Sequence, residues 1–269
     1  TNVLRWIGFA AMAIGSSAFA NDSGRKVEPI RQGTDAVWSE LASLPITISN
    51  NAVTSVDNAD ESATIYTFMG IETPTSSSSI TAASYRMTVP GGAWERIADA
   101  PLLNDRAKIA ANAVTVAGEV YLIGGYSAAG FEITEHRLFR YDVVDDQYIE
   151  LTEVPVRVDD TVAGVYQDRY IYLVSGWNGP SGTNVNNVQA YDTKTDTWAQ
   201  ATPILGPLPG LFGHAGTIVG NRIMYMDGAT IGGNFPISSR VFLGTIDPLN
   251  TGEIATISWN EVAAHPGLP

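Results

Sequence analysis

Few side chains in this 269-residue sequence combine a reactive group with a setting that would expose it. His214 lies in Gly213-His214-Ala215-Gly216, where small neighbours leave the ring accessible. An imidazole titrates near neutrality, so His214 is the candidate general acid or base. The competing reading is a ring hydrogen-bonded inside the fold. His136 and His265 carry less weight, and the spacing of the three histidines does not suggest a metal site. Arg106 and Arg157 each precede an apolar run and each has acidic neighbours, Asp105 for one and Asp159 with Asp160 for the other. A guanidinium there would grip a carboxylate through its planar fork, or else pair with those neighbours. Arg240 is a third candidate, with a solvated edge charge as its alternative. Trp177-Asn178 sets an aromatic face beside an amide, which suits stacking on a sugar ring and hydrogen bonds to its hydroxyls. Packing is the alternative for that indole. The expected set is therefore His214 as catalytic group and Arg106, Arg157, Trp177, Asn178 and Arg240 as ligand contacts, with no metal and no cofactor.

These residues are held by a repeat. An aromatic residue is followed by an apolar or small one three positions on and then by Pro, at Trp38, Trp94, Tyr148, Trp198 and Trp259. A second marker keeps the same phase: apolar runs end in glycine at Gly70, Gly125, Gly176 and Gly228, steps of 55, 51 and 52 residues. Two markers with one period imply an array of one supersecondary unit. Each unit reads as four short strands. In the second, Ile109 to Val116 is followed by the turn Ala117-Gly118, then by the buried run Val120 to Ile123. A long connection Ser127–His136 leads to Arg137–Asp142, a turn at 144–147 and a fourth strand closed by Pro155. Helical periodicity is nearly absent. Four antiparallel strands per unit of about 50 residues describe a propeller blade.

In such a blade, the connection between strands two and three and the link to the next blade emerge on one face. The long connections Ser127–His136, Asn178–Asn187 and Thr230–Ser239 therefore share a rim with the links at 104–106, 157–160 and 212–214. Loops on a rigid scaffold are where binding groups usually sit. The repeated aromatics read as blade packing, and Asp145, Asp146 and Asp168 as turn formers on the opposite face.

The Gly-Gly pair, Tyr and second aromatic at Gly124-Gly125, Tyr141 and Tyr148, and again at Ser175-Gly176, Tyr191 and Trp198, resemble kelch repeats. The resemblance covers roughly residues 38–269. A leader followed directly by blades is most similar to the bacterial N-acetylneuraminate epimerase (sialic acid mutarotase) group of kelch proteins. That resemblance implies a sugar mutarotase whose proton acceptor is a Glu after an Asn-Gly pair, with an Arg further along the loop. The matching place here is Asp227-Gly228-Ala229, so Ala229 stands where the Glu would be, and the nearest Arg is Arg240. Galactose oxidase-like kelch proteins are also similar, but their copper radical site needs a Cys and this chain has none.

Composition narrows the partners. Arg5, the apolar run Trp6 to Ile14 and Ala18-Phe19-Ala20 read as a secretory leader over 1–20, with a polar lead-in over 21–37. A periplasmic or secreted protein is expected. Export without Cys means no disulfide framework, as a domain this size permits. The formal net charge of −13 disfavours nucleic acid and anionic membrane surfaces. The expected architecture is an all-β kelch propeller over 38–269, with blades near 46–101, 102–155, 156–205 and 206–266. Trp38 heads an orphan fourth strand whose three partners are expected beyond Pro269, so the expectation is four complete blades plus one orphan strand, a fragment of a six-bladed ring. The expected function is binding of a carbohydrate such as sialic acid, with mutarotase-type activity. The alternative is a non-enzymatic module that binds a protein through the loop face. A pocket lined by Arg106, Arg157, His214 and Trp177 would favour the first, and a flat or apolar face the second.

Overall fold

The computed structural model describes residues 39–129, 131–205, 210–232 and 234–264. The leader, the lead-in, Trp38, His265 and Pro266 lie outside the described residues. The chain divides into two units, Thr1–Ser43 and Leu44–Pro269. The described residues of the first, 39–43, form no strand or helix, and every strand lies in the second.

The strands run in order β1 (Ile48–Ser49), β2 (Ala52–Asp57), β3 (Ala63–Phe68), β4 (Gly70–Glu72), β5 (Ile80–Thr81), β6 (Ser84–Val89) and β7 (Glu95–Ile97). Next come β8 (Ile109–Val116), β9 (Glu119–Ala129), β10 (Phe131–Thr134), β11 (Leu138–Asp142) and β12 (Gln147–Leu151). The remainder are β13 (Val162–Tyr166), β14 (Tyr170–Asn178), β15 (Thr183–Asp192), β16 (Thr197–Ala201), β17 (Ala215–Val219), β18 (Arg222–Met226), β19 (Val241–Ile246) and β20 (Ile257–Val262). They pair as four antiparallel blades: β2-β3-β6-β7, β8-β9-β11-β12, β13-β14-β15-β16 and β17-β18-β19-β20. A small sheet β1-β4-β5 caps the first blade's connection, and β10 pairs with the outer half of β9. The fold is an all-β propeller of four-stranded blades.

Strand alternation gives every blade two faces, and the apolar core lies between blades. Tyr66 and Phe68 of the first blade meet Leu122 and Tyr141 of the second. Tyr121 and Ile123 meet Ile171 and Tyr191 at the next seam. Tyr172 and Val174 meet Tyr225, Phe242 and Trp259 at the third. Burying one such aromatic contributes about 2 kcal/mol, so each seam is held by several.

The repeated aromatics do more than fill volume. The Tyr148 hydroxyl donates to the Ala98 carbonyl (3.0 Å), the Trp198 indole N–H to Thr152 (3.0 Å) and the Trp259 indole N–H to Thr202 (3.0 Å). Each reaches four residues past the equivalent aromatic of the preceding blade. The turn aspartates return the contact. Asp146 accepts from the Tyr141 hydroxyl (2.7 Å) and from the Ala98 N–H (2.8 Å). Asp196 accepts likewise from Tyr191 and from the Thr152 N–H, and Asp168 accepts from the Ala117 N–H (2.6 Å). Asp146 and Asp168, expected only to shape turns, also clasp neighbouring blades.

The glycine marker has a steric cause. Gly125 has φ 86°, and a Cβ on it would stand 2.6 Å from the Ile109 carbonyl oxygen. A Cβ on Gly176 (φ 124°) would stand 2.6 Å from that of Asp159. The second strand must turn against the start of the inner strand, and only hydrogen fits. Beside this contact a backbone chain passes between blades. The Ala110 N–H donates to Asn50 (3.4 Å), the Asp160 N–H to Ala110 (3.3 Å) and the Gly213 N–H to Asp160 (3.0 Å). All four residues have left-handed φ, so Asp160 is one member of a position that recurs in every blade.

Candidate functional site

Two of the long connections expected as loops are extended hairpins. Tyr126 pairs with Thr134, and Ser127 with Ile133, so β9 and β10 stand above their blade. β14 and β15 do the same, with Trp177 opposite Asn184. The two hairpins meet at the blade link that carries Asp159. Trp177 and Asp159 exchange backbone hydrogen bonds of 3.0 Å in both directions. The Thr134 hydroxyl donates to Asp159 Oδ2 (2.9 Å) and accepts from the Gly179 N–H (3.0 Å). Asn178 Nδ2 donates to the Arg157 carbonyl (2.7 Å). The Trp177 indole hydrogen-bonds the Glu132 carboxylate. Glu132, Asp159, Asp160 and Trp177 thus occupy one neighbourhood, with Arg157 in the same link.

An aromatic group borders it. Trp177 lies 5.5 Å from Phe212 and 6.1 Å from Phe235, ring centre to ring centre, and those two are 5.3 Å apart. The three come from the third blade's hairpin, the following link and the fourth blade's connection.

The carboxyl groups here are displaced from their ordinary range. Asp159 is 1 % exposed. Burial first, then the Glu132 charge, raise it to about 8, against the opposing Thr134 hydrogen bond. Asp160 is half-buried, and burial raises it to about 6. Partial burial also raises Glu132, opposed by the Trp177 hydrogen bond. Tyr126 is pushed up to about 12 by burial and by the charges of Asp160, Glu132 and Asp159. Burial thus favours the neutral form of both aspartates, and of Asp159 more strongly than of Asp160. Adjacent groups with pKa values pushed apart are the arrangement that acid–base chemistry requires.

His214 is elsewhere. Its Nε2 lies 3.1 Å from the Val162 N–H and 3.0 Å from the Val174 carbonyl, and its ring meets Tyr225 edge-on at 4.3 Å. Nδ1 is buried without a hydrogen-bond partner, and burial lowers the imidazole to about 4. The small neighbours that suggested accessibility instead let the ring sink between the third and fourth blades. Asn178 holds the Arg157 carbonyl with its nitrogen and the Ser181 N–H (2.8 Å) with its oxygen, so its amide shapes the link. Arg240 forms a bidentate pair with Glu261 at 2.7 and 2.9 Å and lies 4.6 Å over the Phe242 ring. Its fork is occupied. Arg106 is exposed and lines a cavity of about 230 Å³ with Ser77, Ile80, Asp105, Ala107 and Ala128. The structure therefore brings Arg157, Trp177 and Asn178 together and leaves Arg106, His214 and Arg240 outside that group.

Sequence reasoning missed Glu132, and treated Asp159 and Asp160 only as partners for Arg157. The adjacent acids in the link were the one visible signal. Among the described residues no group of three or more His, Asp or Glu is placed to hold a metal ion, and no helix is long and apolar enough to cross a membrane.

Comparisons with known proteins bear on the scaffold. Residues 162–204, which span the third blade, match the Kelch motif model. A segment of 86 residues, 31% of this chain, is 31% identical to a kelch repeat-containing protein of Dictyostelium discoideum and spans 12% of that protein. The solved structure titled "Structure of YjhT" superposes with a TM-score of 0.65 at 16% identity, over 84% of this chain and 68% of that one. At that identity the likeness is one of fold.

Proposed function

The chain is a kelch-repeat β-propeller, and we propose that its rim at Glu132, Asp159, Asp160 and Trp177 binds a carbohydrate and exchanges its anomers by proton transfer. The observation that carries this reading is the convergence of Glu132, buried Asp159 and half-buried Asp160 on a half-exposed indole, with burial raising all three carboxyl groups. Mutarotation needs no cofactor. Asp160 takes the proton of the anomeric hydroxyl, and Asp159, being 1 % exposed, supplies one to the ring oxygen through an intervening water, so the ring C–O bond opens to the carbonyl form. After rotation about the adjacent carbon–carbon bond, the hydroxyl adds back to the other carbonyl face with both transfers reversed. Trp177 offers the stacking surface. This role falls to carboxylates that the resemblance did not indicate, which fits a chain with Ala229 in place of the resembled group's Glu. The leader-like N-terminus makes the periplasm or the medium the proposed location.

Anomer exchange followed by NMR tests the reading, with sialic acid and neutral aldoses as substrates. The expected result is acceleration over buffer that Asp160→Asn abolishes and His214→Gln leaves in place. No acceleration by the parent protein would remove the catalytic claim.

A second reading has its own support. Ile231, Phe235 and Ile237 are 43%, 50% and 64% exposed on the fourth blade's connection, next to the aromatic group. Apolar exposure of this kind favours a protein-binding face. Sugar titrations that leave the Trp177 fluorescence unchanged would turn the assignment toward it.

A further inference from the structure

We infer that the rim site selects uncharged or amino sugars and discriminates against acidic ones, an inference that rests on the carbohydrate reading above. Three features of the neighbourhood support it. The first is the charge set: Glu132 hydrogen-bonds the indole, Asp159 exchanges backbone hydrogen bonds with Trp177 and precedes Asp160 in the link, and Arg157, two residues before Asp159, is the one cation of that link. A sugar carboxylate brought there would be repelled by Asp160 and Glu132, while a hydroxyl would find acceptors on both.

The second is the surface itself. Trp177, Phe212 and Phe235 present carbon faces and, apart from the indole N–H held by Glu132, no polar donor. Such a surface suits the C–H face of a pyranose and would also stabilise an ammonium group.

The third is an orphaned acceptor. Asn184 opposes Trp177 in the ladder, so the two side chains share a sheet face. Asn184 is 2 % exposed, and its Nδ2 donates to the Gly210 (2.8 Å) and Ala229 (3.0 Å) carbonyls. Ala229 is in turn bridged to Phe212. Asn184 Oδ1 is left buried with no donor. Because Oδ1 is buried, a sugar hydroxyl would reach it only through a bridging water, and a carboxylate has no proton to donate to it.

Saturation-transfer NMR and calorimetry on the full chain test this with glucose, galactose, N-acetylglucosamine, glucosamine, glucuronic acid and N-acetylneuraminic acid. The expected result is binding of neutral or amino sugars at least tenfold tighter than of either acid. Trp177→Ala should abolish that binding, and Glu132→Gln should narrow the gap. Trp177→Phe, which keeps the ring but loses the indole N–H, should retain it and serves as the check on folding. Acids binding as tightly as neutral sugars would overturn the inference and leave the carbohydrate reading standing. Neutral sugars binding equally well to Trp177→Ala would overturn the assignment to this rim. No binding by any of the six would overturn the carbohydrate reading itself.

Discussion

The Lys108 ammonium sits 2.7 Å from Glu135 Oε2 with side chains 1 % and 0 % exposed, a buried ion pair. Arg137 adds two more hydrogen bonds to the same carboxylate, at 3.0 and 2.7 Å, and the backbone N–H groups of His136 and Arg137 also donate to it. Burial alone would raise Glu135, but Arg137 and Lys108 outweigh it and hold the carboxyl at about 2. The cluster fastens the start of an inner strand to the hairpin that carries Glu132.

Its stability should follow from which charge is left alone. Glu135→Gln leaves the Lys108 ammonium buried without a counter-charge and should cost about 3–5 kcal/mol in denaturant unfolding. Lys108→Met leaves Glu135 still held by Arg137 and should cost distinctly less. Equal losses would show that the pair acts only through shape.

Acid should weaken the same region. The folded pKa of Glu135 is depressed, so its stabilisation is present above the ordinary carboxylate pKa and is lost as pH falls from about 4.3 toward about 2. His214 acts in the same direction at higher pH. Its lowered folded pKa removes stability between about 6.5 and about 4. Thermal unfolding against pH should show both losses, and His214→Gln should remove only the upper one.

Asp159 should have the opposite sign. Its folded pKa is raised to about 8, so the folded state binds more protons between about 4 and about 8, and its contribution to stability falls as pH rises through that window. Asp159→Asn should stabilise the protein at pH 8 relative to pH 5, by a few kcal/mol at about 1.4 kcal/mol per pH unit. A pH-independent effect of the substitution would contradict the buried protonated state.

The proposed anomer exchange should have a bell-shaped pH profile. Ionisation of Asp160 near 6 gives the rising limb and loss of the Asp159 proton near 8 the falling one, as apparent values of the pair. Asp159→Asn should lower the maximum and remove the falling limb. A single limb near 6.5 surviving that change would point to a histidine instead.

The inter-blade clasps and the close strand contact at Gly125 should be structural only. Trp198→Phe removes the hydrogen bond to Thr152 and should cost about 1 kcal/mol. Gly125→Ala must displace the Ile109 carbonyl and should cost more. Neither should alter sugar binding, which calorimetry at a temperature where the variants stay folded would check.

The strand positions were legible because their causes are local. A glycine that admits no Cβ beside a carbonyl, an aromatic that must reach the preceding blade and a proline that ends a strand recur in phase, and each leaves a mark at one position. The face that gathers the connections followed from blade connectivity. The chemistry on that face was not legible in the same way. His214 looked accessible beside small residues, but those residues are what let the neighbouring blade close over it. Arg240 looked available, but its partner Glu261 lies one strand away across the ladder. Glu132 looked like an ordinary polar residue of a connection until the meeting of the β9–β10 and β14–β15 hairpins set it against Trp177.

The repeated unit, with its four strands, its apolar seams and its rim, is written along the chain. Those depend on alternation and on single-residue sterics, which act over a few bonds. The chain had to fold before it was settled which rim carboxyl groups burial displaces from their ordinary range. The displacement of Asp159 and Asp160 arises from burial where two hairpins and a link from adjacent blades converge, about 45 residues apart in the chain between Thr134 and Gly179. Desolvation and charge are set by three-dimensional neighbours, and no spacing along the chain encodes them.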